Sequence, residues 1–400
     1  MKSDAISEND RQFYLERALA AADWFVNSQE NDLPAWDANI GRFLYYYYMP
    51  EGKSVYGIVW THGRALFVLA EAHRITGEKR YLDAAATGAR YLFALQETDP
   101  HYAVAYGAFH ERTPQADFGG TLDSAQGASG LLVLHEASGN PDYLRRGRLF
   151  CEYLARTWRP DHGFTFATHH HSQRVEYYDD PWEVCIHHCT AIPLWHLHRI
   201  TGEGQHLHKI VDGADRMLKC QRPDGALKWY SDTSKIDPSN PNHHWGHGEG
   251  EDRFVIVNDD GCVTVVLAAH MITGASKYLD AMAAYADWTV ENLPRERPYN
   301  AFGIQAANVL DIGRATGRDY LPWVLDNLKT HCLDLQVIDS GDKKADGGFR
   351  GEDEQGEGGV FGGTSLDYVP TRNTCYMAGL LFRLSGRGTG AGFSAWGLGG

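Results

Sequence analysis

RITGEKRYLDAA at Arg74–Ala85, EASGNPDYLRRG at Glu136–Gly147, RITGEGQHLHKI at Arg199–Ile210, MITGASKYLDAM at Met271–Met282 and RATGRDYLPWV at Arg314–Val324 are versions of one phrase. A last echo, RLSG, falls at Arg383–Gly386. Each phrase closes an apolar segment with a glycine, the residue that accepts the left-handed conformation just past a helix end. In the first five a new helix opens at once, near a Tyr-Leu or His-Leu pair. This is a tight turn between two helices, repeated along the chain, and such a repeat outweighs any single local signal.

Reading outward from the turns separates two kinds of helix. Those before the turns are apolar and rich in small residues: Thr61–Ile75, Asp123–Ala137, Trp182–Ile200, Asp260–Ile272, Asn300–Ala315 and Thr371–Leu384. Those after the turns carry charge along one side: Tyr81–Leu95, Tyr143–Thr157, His206–Lys219, Tyr278–Glu291 and Tyr320–Leu333, with Arg11–Ser28 as the sixth. Apolar helices alternating with amphipathic ones predict an inner ring wrapped by an outer ring. The expected fold is all-α, an (α/α)6 toroid of six helical hairpins over residues 1–386, followed by a Gly-rich tail over 387–400. An open α-solenoid is the alternative, and it would need capping repeats and more uniform loops.

The connections differ by end. The turns are a few residues long, whereas Glu30–Val59, Glu97–Thr121, Arg159–Pro181, Gln221–Asp259 and Gln336–Pro370 are long. Long loops inside a compact domain are usually functional. These all reach the face where inner helices begin, and helix N-termini there favour anions and developing negative charge. A cleft rich in Trp, Tyr, His, Asp and Gly is expected on that face, suited to stacking and hydrogen bonding of sugar rings.

Composition narrows the partners. The 400 residues carry a formal net charge of −15, which argues against nucleic acid and mildly against long polyanions. No run of about 18 apolar residues is present, so no membrane span is expected. MKSDAISENDRQ lacks an apolar secretory core, so a cytoplasmic location is expected. The seven cysteines are odd in number and scattered through helices, which reads as buried thiols and not a disulfide framework. Cys185 and Cys189 beside His187 and His188, and the segment NPNHHWGHGEGED, both invite a metal reading. Neither has zinc-site spacing, and no metal or other cofactor is expected. The oligomeric state is not legible.

The first turn of each inner helix supplies the candidates. WTHGR offers Trp60, His62 and Arg64; LDSAQG offers Asp123 and Gln126; DDPWEVCIHH offers Trp182, Glu183, His187 and His188; VNDDG offers Asp259 and Asp260; and SLDYVPTRN offers Tyr368 and Arg372. His244 and Trp245 come from the polar loop before the fourth inner helix, where hydrogen bonds to sugar hydroxyls are expected. Adjacent carboxylates at a helix start can divide roles, one capping and one entering the cleft with a shifted pKa. Glycoside hydrolysis needs an acid and a base or nucleophile across the scissile bond. Asp259 or Asp260 with Asp123 or Glu183 would provide them. Asp123 could equally be a plain helix cap. Arg64 beside Trp60 suits the carboxylate of a uronic acid, though a structural ion pair would explain it too. Tyr368, Arg372 and a histidine would instead permit proton abstraction next to a uronate, the chemistry of a lyase or an epimerase.

With those residues in place, the pattern resembles the six-hairpin glycosidase superfamily over nearly the whole chain. NDDGCVTVVLAAHMITGASKYLDAM resembles the Asp-Asp helix start of unsaturated glucuronyl and rhamnogalacturonyl hydrolases and of α-1,6-mannanases. That resemblance implies a catalytic role for Asp259 or Asp260. LDSAQGASGLLVLHEASG resembles the inner helix carrying the second catalytic Asp of the glucuronyl hydrolases, which implies the same for Asp123. Two departures stand out. Gly261 replaces a bulky residue after the pair, and Asp123 and the pair lie two inner helices apart. WTHGRALFVLAEAHRITG also resembles sugar 2-epimerases, and AQGASGLLVL resembles uronyl C5-epimerases. The function implied is a glycoside hydrolase acting on a uronate-containing oligosaccharide, with a lyase or epimerase as the alternative.

Overall fold

The computed structural model describes residues 6–34, 36–37, 39–177, 187, 189–235, 255–256, 261–293, 302–351, 366–388 and 394. Twelve α-helices lie among them: α1 Glu8–Ser28, α2 Val59–Thr76, α3 Lys79–Leu95, α4 Thr121–Ser138, α5 Pro141–Thr157, α6 Ile192–Thr201, α7 Leu207–Leu218, α8 Cys262–Thr273, α9 Ser276–Asn292, α10 Phe302–Thr316, α11 Leu321–His331 and α12 Thr371–Leu384. The even-numbered helices pack in succession, α2 on α4, α4 on α6, α6 on α8, α8 on α10 and α10 on α12, and α12 returns onto α2. The odd-numbered ones are amphipathic and lie outside them. Outer helices α3, α5 and α9 start two residues before their Tyr-Leu pairs, whereas α7 and α11 start one residue after His206 and Tyr320. In α5, for example, Asn140 caps the helix through the Asp142 N–H and Pro141 occupies the first position.

The turns work as their glycines require. Gly77, Gly139, Gly202, Gly274 and Gly317 all have φ between 68° and 75°, and each N–H closes onto the carbonyl four residues back. A feature not anticipated from sequence reinforces four of them. His73, His135, His198 and His270 each stand four residues before the glycine. Their Nδ1 atoms lie 3.0, 2.8, 2.9 and 3.0 Å from the carbonyl oxygens of Glu78, Asn140, Glu203 and Ala275. Since a carbonyl only accepts, each Nδ1 carries the proton. The hydroxyl of Thr76, Ser138, Thr201 or Thr273 donates to the preceding turn in the same places.

The Tyr-Leu pairs also acquire a purpose. The hydroxyls of Tyr81, Tyr278 and Tyr320 donate to Asp23, Asp215 and Asp287 at 2.8, 2.9 and 2.8 Å. Each of these aspartates sits on the preceding outer helix or, for Asp23, on α1. Arg80, Lys277 and Arg318 add an ion pair to the same three carboxylates. Glutamine staples secure the loop side. Gln29, Gln96, Gln221 and Gln336 each donate from Nε2 to the carbonyl of a left-handed glycine, Gly41, Gly107, Gly225 and Gly347 respectively.

The long connections contain structure that a purely helical reading missed. β1 Leu44–Tyr48 pairs antiparallel with β2 Lys53–Tyr56 and with β6 Tyr368–Pro370, which joins the first long loop to the last. β3 Phe118–Gly120, β4 Ala167–His169 and β5 Arg174–Glu176 form a second small sheet. Strands this short leave little periodicity to read. Among the described residues no helix is long and apolar enough to cross a membrane. The six described cysteines are buried, and no disulfide joins them among the described residues.

Candidate functional site

The tightest junction of the inner helices sets the site. A Cβ built on Gly63 of α2 would lie 2.1 Å from the backbone oxygen of Gln126 in α4, and one on Gly130 would lie 2.7 Å from Gly63. The glycines in WTHGR and SAQGASG therefore let the two backbones touch. This contact brings Arg64 Nε within 2.6 Å of Gln126 Oε1. The Arg64 guanidinium also lies over the Phe67 and Tyr376 rings, 5.7 and 5.6 Å from their centroids. Arg64 is only 1% exposed, so it is a strut between inner helices and not a surface cation.

His62 is likewise interior. Its Nδ1 lies 2.9 Å from the Ile58 carbonyl and its Nε2 accepts from the Phe43 N–H at 3.1 Å. Both ring nitrogens are occupied by backbone, and burial pushes its pKa down to about 3. His62, expected from the sequence to meet substrate, is held here as a neutral pin tying the start of α2 to the segment entering β1.

Asp123 has a partner that the sequence reading did not name. α4 begins at Thr121 behind Gly120, so Asp123 occupies the third helical position and is not the cap residue. Its carboxyl shares a hydrogen bond with Glu111. Glu111 stands on the connection that leads into β3, where its N–H donates to Phe118 O and its carbonyl accepts from Val59 N–H. Its Oε2 accepts from Gly120 N–H at 3.0 Å. A Cβ on Gly120 would lie 3.2 Å from Glu111 Oε2 and 3.6 Å from Asp123 Oδ2, so that glycine leaves the two carboxyls room. Burial, the Asp123 charge and the shared hydrogen bond together raise the Glu111 pKa well above the carboxylate range. Of the two carboxyls, Glu111 is therefore the one that a shared proton favours.

An aromatic wall stands beside it. Trp60 packs edge-on against Tyr45 with centroids 5.5 Å apart, and the Arg372 guanidinium carbon lies 4.9 Å from the Trp60 ring centroid. Tyr368 meets Tyr46 and Tyr48 at 5.2 and 4.8 Å through the β1–β6 pairing. Because Val59 N–H donates to Glu111, this wall and the carboxyl pair flank the same first turn of α2. His187 lies elsewhere, packed on Phe164 at 5.7 Å. Asp259, Asp260, Trp182, Glu183, His188, His244 and Trp245 lie outside the described residues.

Of the sequence candidates, then, Trp60, Tyr368 and Arg372 gather in one wall, with Asp123 beside the start of α2. Arg64 and Gln126 support them from within. Glu111 was missed because it sits in a loop of no periodicity. Its one signal was a carboxylate shortly before FGGTLD, the glycine-rich return into an inner helix.

No protein-family model matches the chain, and no curated protein is significantly similar to it. Solved structures do share its fold. A family 76 glycoside hydrolase from a bovine Bacteroides thetaiotaomicron strain superposes with a TM-score of 0.65 at 12% identity, covering 93% of this chain and 77% of that one. An α-1,6-mannanase of Salegentibacter sp. HEL1_6 superposes with a TM-score of 0.63 at 15% identity over 94% of this chain and 99% of that one. That structure is an inactive variant with two adjacent aspartates replaced by alanine, in complex with α-1,6-mannotetrose. A D-mannose isomerase gives a TM-score of 0.64 at 13% identity over 96% and 99% of the two chains.

Proposed function

We propose that this chain is a glycoside hydrolase acting on an oligosaccharide in the cleft of an (α/α)6 toroid. The observation that carries the reading is the Glu111–Asp123 carboxyl pair beside an aromatic wall. A buried carboxyl whose pKa is raised by a neighbouring carboxyl can supply the proton for a leaving glycosidic oxygen. The two are in hydrogen-bond contact, closer than the roughly 5–9.5 Å that separates the acid and its opposing carboxylate in glycosidases. Glu111 and Asp123 thus act together on one side of the bond, and a further carboxylate is required on the other.

Asp259 or Asp260 meets that requirement in this reading, and the paired aspartates replaced in the inactive mannanase support it. Glu111 would protonate the glycosidic oxygen as the bond from C1 breaks. Water would add its oxygen to C1, either directly or after a glycosyl-enzyme intermediate, and surrender its proton to a carboxylate. Tyr368 would stack on a sugar ring, with the buried Trp60 backing the wall under Arg372.

The substrate class follows from the cations. With Arg64 enclosed, a uronate carboxylate would be met by Arg372, half-buried above Trp60. A neutral mannooligosaccharide would need no such partner. Incubation with α-1,6-mannooligosaccharides and with lyase-digested uronans separates the two. Loss of the unsaturated uronate absorbance marks a uronyl hydrolase, and gain of that absorbance on intact polymer marks a lyase. The shared fold of a mannose isomerase supports an isomerase or epimerase as the second reading. It is distinguished by conversion of a free monosaccharide.

A further inference from the structure

Glu97, His110 and His170 converge on one point behind the carboxyl pair. One ligating atom from each lies within 4.8 Å of the other two. The imidazoles of His110 and His170 are stacked, with centroids 3.6 Å apart and planes at 21°. His110 and His170 are 7% and 1% exposed.

The hydrogen bonds decide which nitrogens are available. His110 Nδ1 lies 2.6 Å from the Ala116 carbonyl oxygen and so carries its proton. Its Nε2 is then a lone pair, directed at Glu97 Oε2 4.0 Å away. His170 Nε2 faces the Phe109 carbonyl at 3.3 Å and carries the proton there. Its Nδ1 is a second lone pair, buried and without a hydrogen-bond partner. Glu97 Oε1 accepts from Asp99 N–H at 2.8 Å, which leaves Oε2 turned inward. Two imidazole lone pairs and a carboxylate oxygen gathered within 4.8 Å form a donor set that a bound cation would satisfy. Imidazoles whose other nitrogen donates to a carbonyl are the arrangement by which proteins orient metal ligands.

We propose that Glu97, His110 and His170 bind a divalent zinc ion that fastens the loop carrying Glu111 to the β3–β5 sheet. Two histidines and one carboxylate suit zinc, with water as the fourth ligand. Bonds of about 2.0–2.1 Å would require the two stacked rings to splay so that each lone pair points at the ion, and the Glu97 carboxylate to close in. The backbone is already fixed for this. Glu97 and His110 sit on paired segments, since Glu97 N–H donates to Ala108 O and His110 N–H donates to Leu95 O. His170 follows β4, and its N–H donates to Asp117 O. Gly119 is needed as well: a Cβ there would lie 2.0 Å from Phe109 O and 3.0 Å from His170 Nε2. Zinc would therefore join three segments and set the position of the residue after His110, which is Glu111.

Chelator-treated full-length protein titrated with zinc chloride by calorimetry should bind one equivalent at this site and melt at a higher temperature when loaded. Cobalt in place of zinc should give visible absorption bands of a four-coordinate centre. Glu97→Gln and His170→Ala should each weaken binding by more than about tenfold and abolish the zinc-dependent rise in melting temperature. Glu97→Gln is the conservative variant if His170→Ala folds poorly. Absence of zinc binding by the wild type overturns the proposal, and so does undiminished binding by Glu97→Gln and His170→Ala. These readouts do not depend on any sugar being turned over.

Discussion

The carboxyl of Glu111 hydrogen-bonds the carboxyl of Asp123 above the first turn of α4, and burial and the Asp123 charge raise the Glu111 pKa above its ordinary value. This relationship joins a loop residue to an inner-helix residue beside Gly120, where an added Cβ would press on Glu111 Oε2. Replacing Asp123 with Asn removes the charge while keeping a hydrogen-bonding group. Turnover should fall by about 10²–10⁴ if the pair supplies the acid, with little change in melting temperature. Parallel measurement of both quantities checks this, and a stable variant with normal turnover would make the pair structural.

Gly63 is a second point of sensitivity. Its Cα faces Gln126 across a gap that admits no methyl group. Gly63→Ala should destabilise the fold by about 3 kcal/mol or more, at the upper end of overpacking costs. Chemical denaturation gives the value. A loss under 1 kcal/mol would show that α2 and α4 can separate without penalty.

The hairpin turns predict smaller, separable effects. A Cβ on Gly274 meets no atom within 4 Å, so Gly274→Ala is resisted only by its φ of 68°. About 1–2 kcal/mol of destabilisation is expected from that conformation. Tyr278→Phe loses the hydroxyl donated to Asp215 and should cost about 1 kcal/mol. The two sites share a hairpin, and a double variant would report whether turn and clasp are coupled.

Acid should weaken the protein through two histidines. Burial pushes His62 and His196 down to about 3, against an ordinary value of 6.5 in the unfolded chain. Between those limits the unfolded state binds more protons than the folded state. Their contribution is therefore complete above pH 6.5 and is lost as pH falls toward 3. The slope contributed by each is about 1.4 kcal/mol per pH unit. His62→Gln should flatten the decline of stability between pH 6 and 4 relative to wild type. An unchanged slope would contradict a neutral, buried His62.

Much of the fold is legible in the sequence because its decisive event is local. A glycine at the end of an apolar helix has few alternatives to the left-handed turn, and Gly77, Gly139, Gly202, Gly274 and Gly317 all adopt it. The histidine four residues earlier went unread, since its bond to a backbone carbonyl has no hydrophobic signature. The small sheets were equally hidden, because Phe118–Gly120 and Tyr368–Pro370 are three residues each and pair only with segments far along the chain. The site was read in part. Asp123, Trp60, Tyr368 and Arg372, singled out for their place at or just before helix starts, are the residues that the proposed site uses. Glu111 depends on a loop returning over α4. The burial of Arg64 and His62 was not legible, because the sequence does not show which way a residue of an inner helix faces.

The most direct test of the account is the turnover of Glu111→Gln on whichever oligosaccharide the wild type cleaves, with Asp259→Asn and Asp260→Asn beside it. Gln preserves the acceptor for Gly120 N–H but cannot donate a carboxyl proton. The account predicts a loss of about 10²–10⁴ in kcat for Glu111→Gln, a comparable loss for at least one of the aspartate variants, and melting temperatures near that of the wild type. Near-normal turnover by Glu111→Gln would contradict the claim that the Glu111–Asp123 pair performs the chemistry.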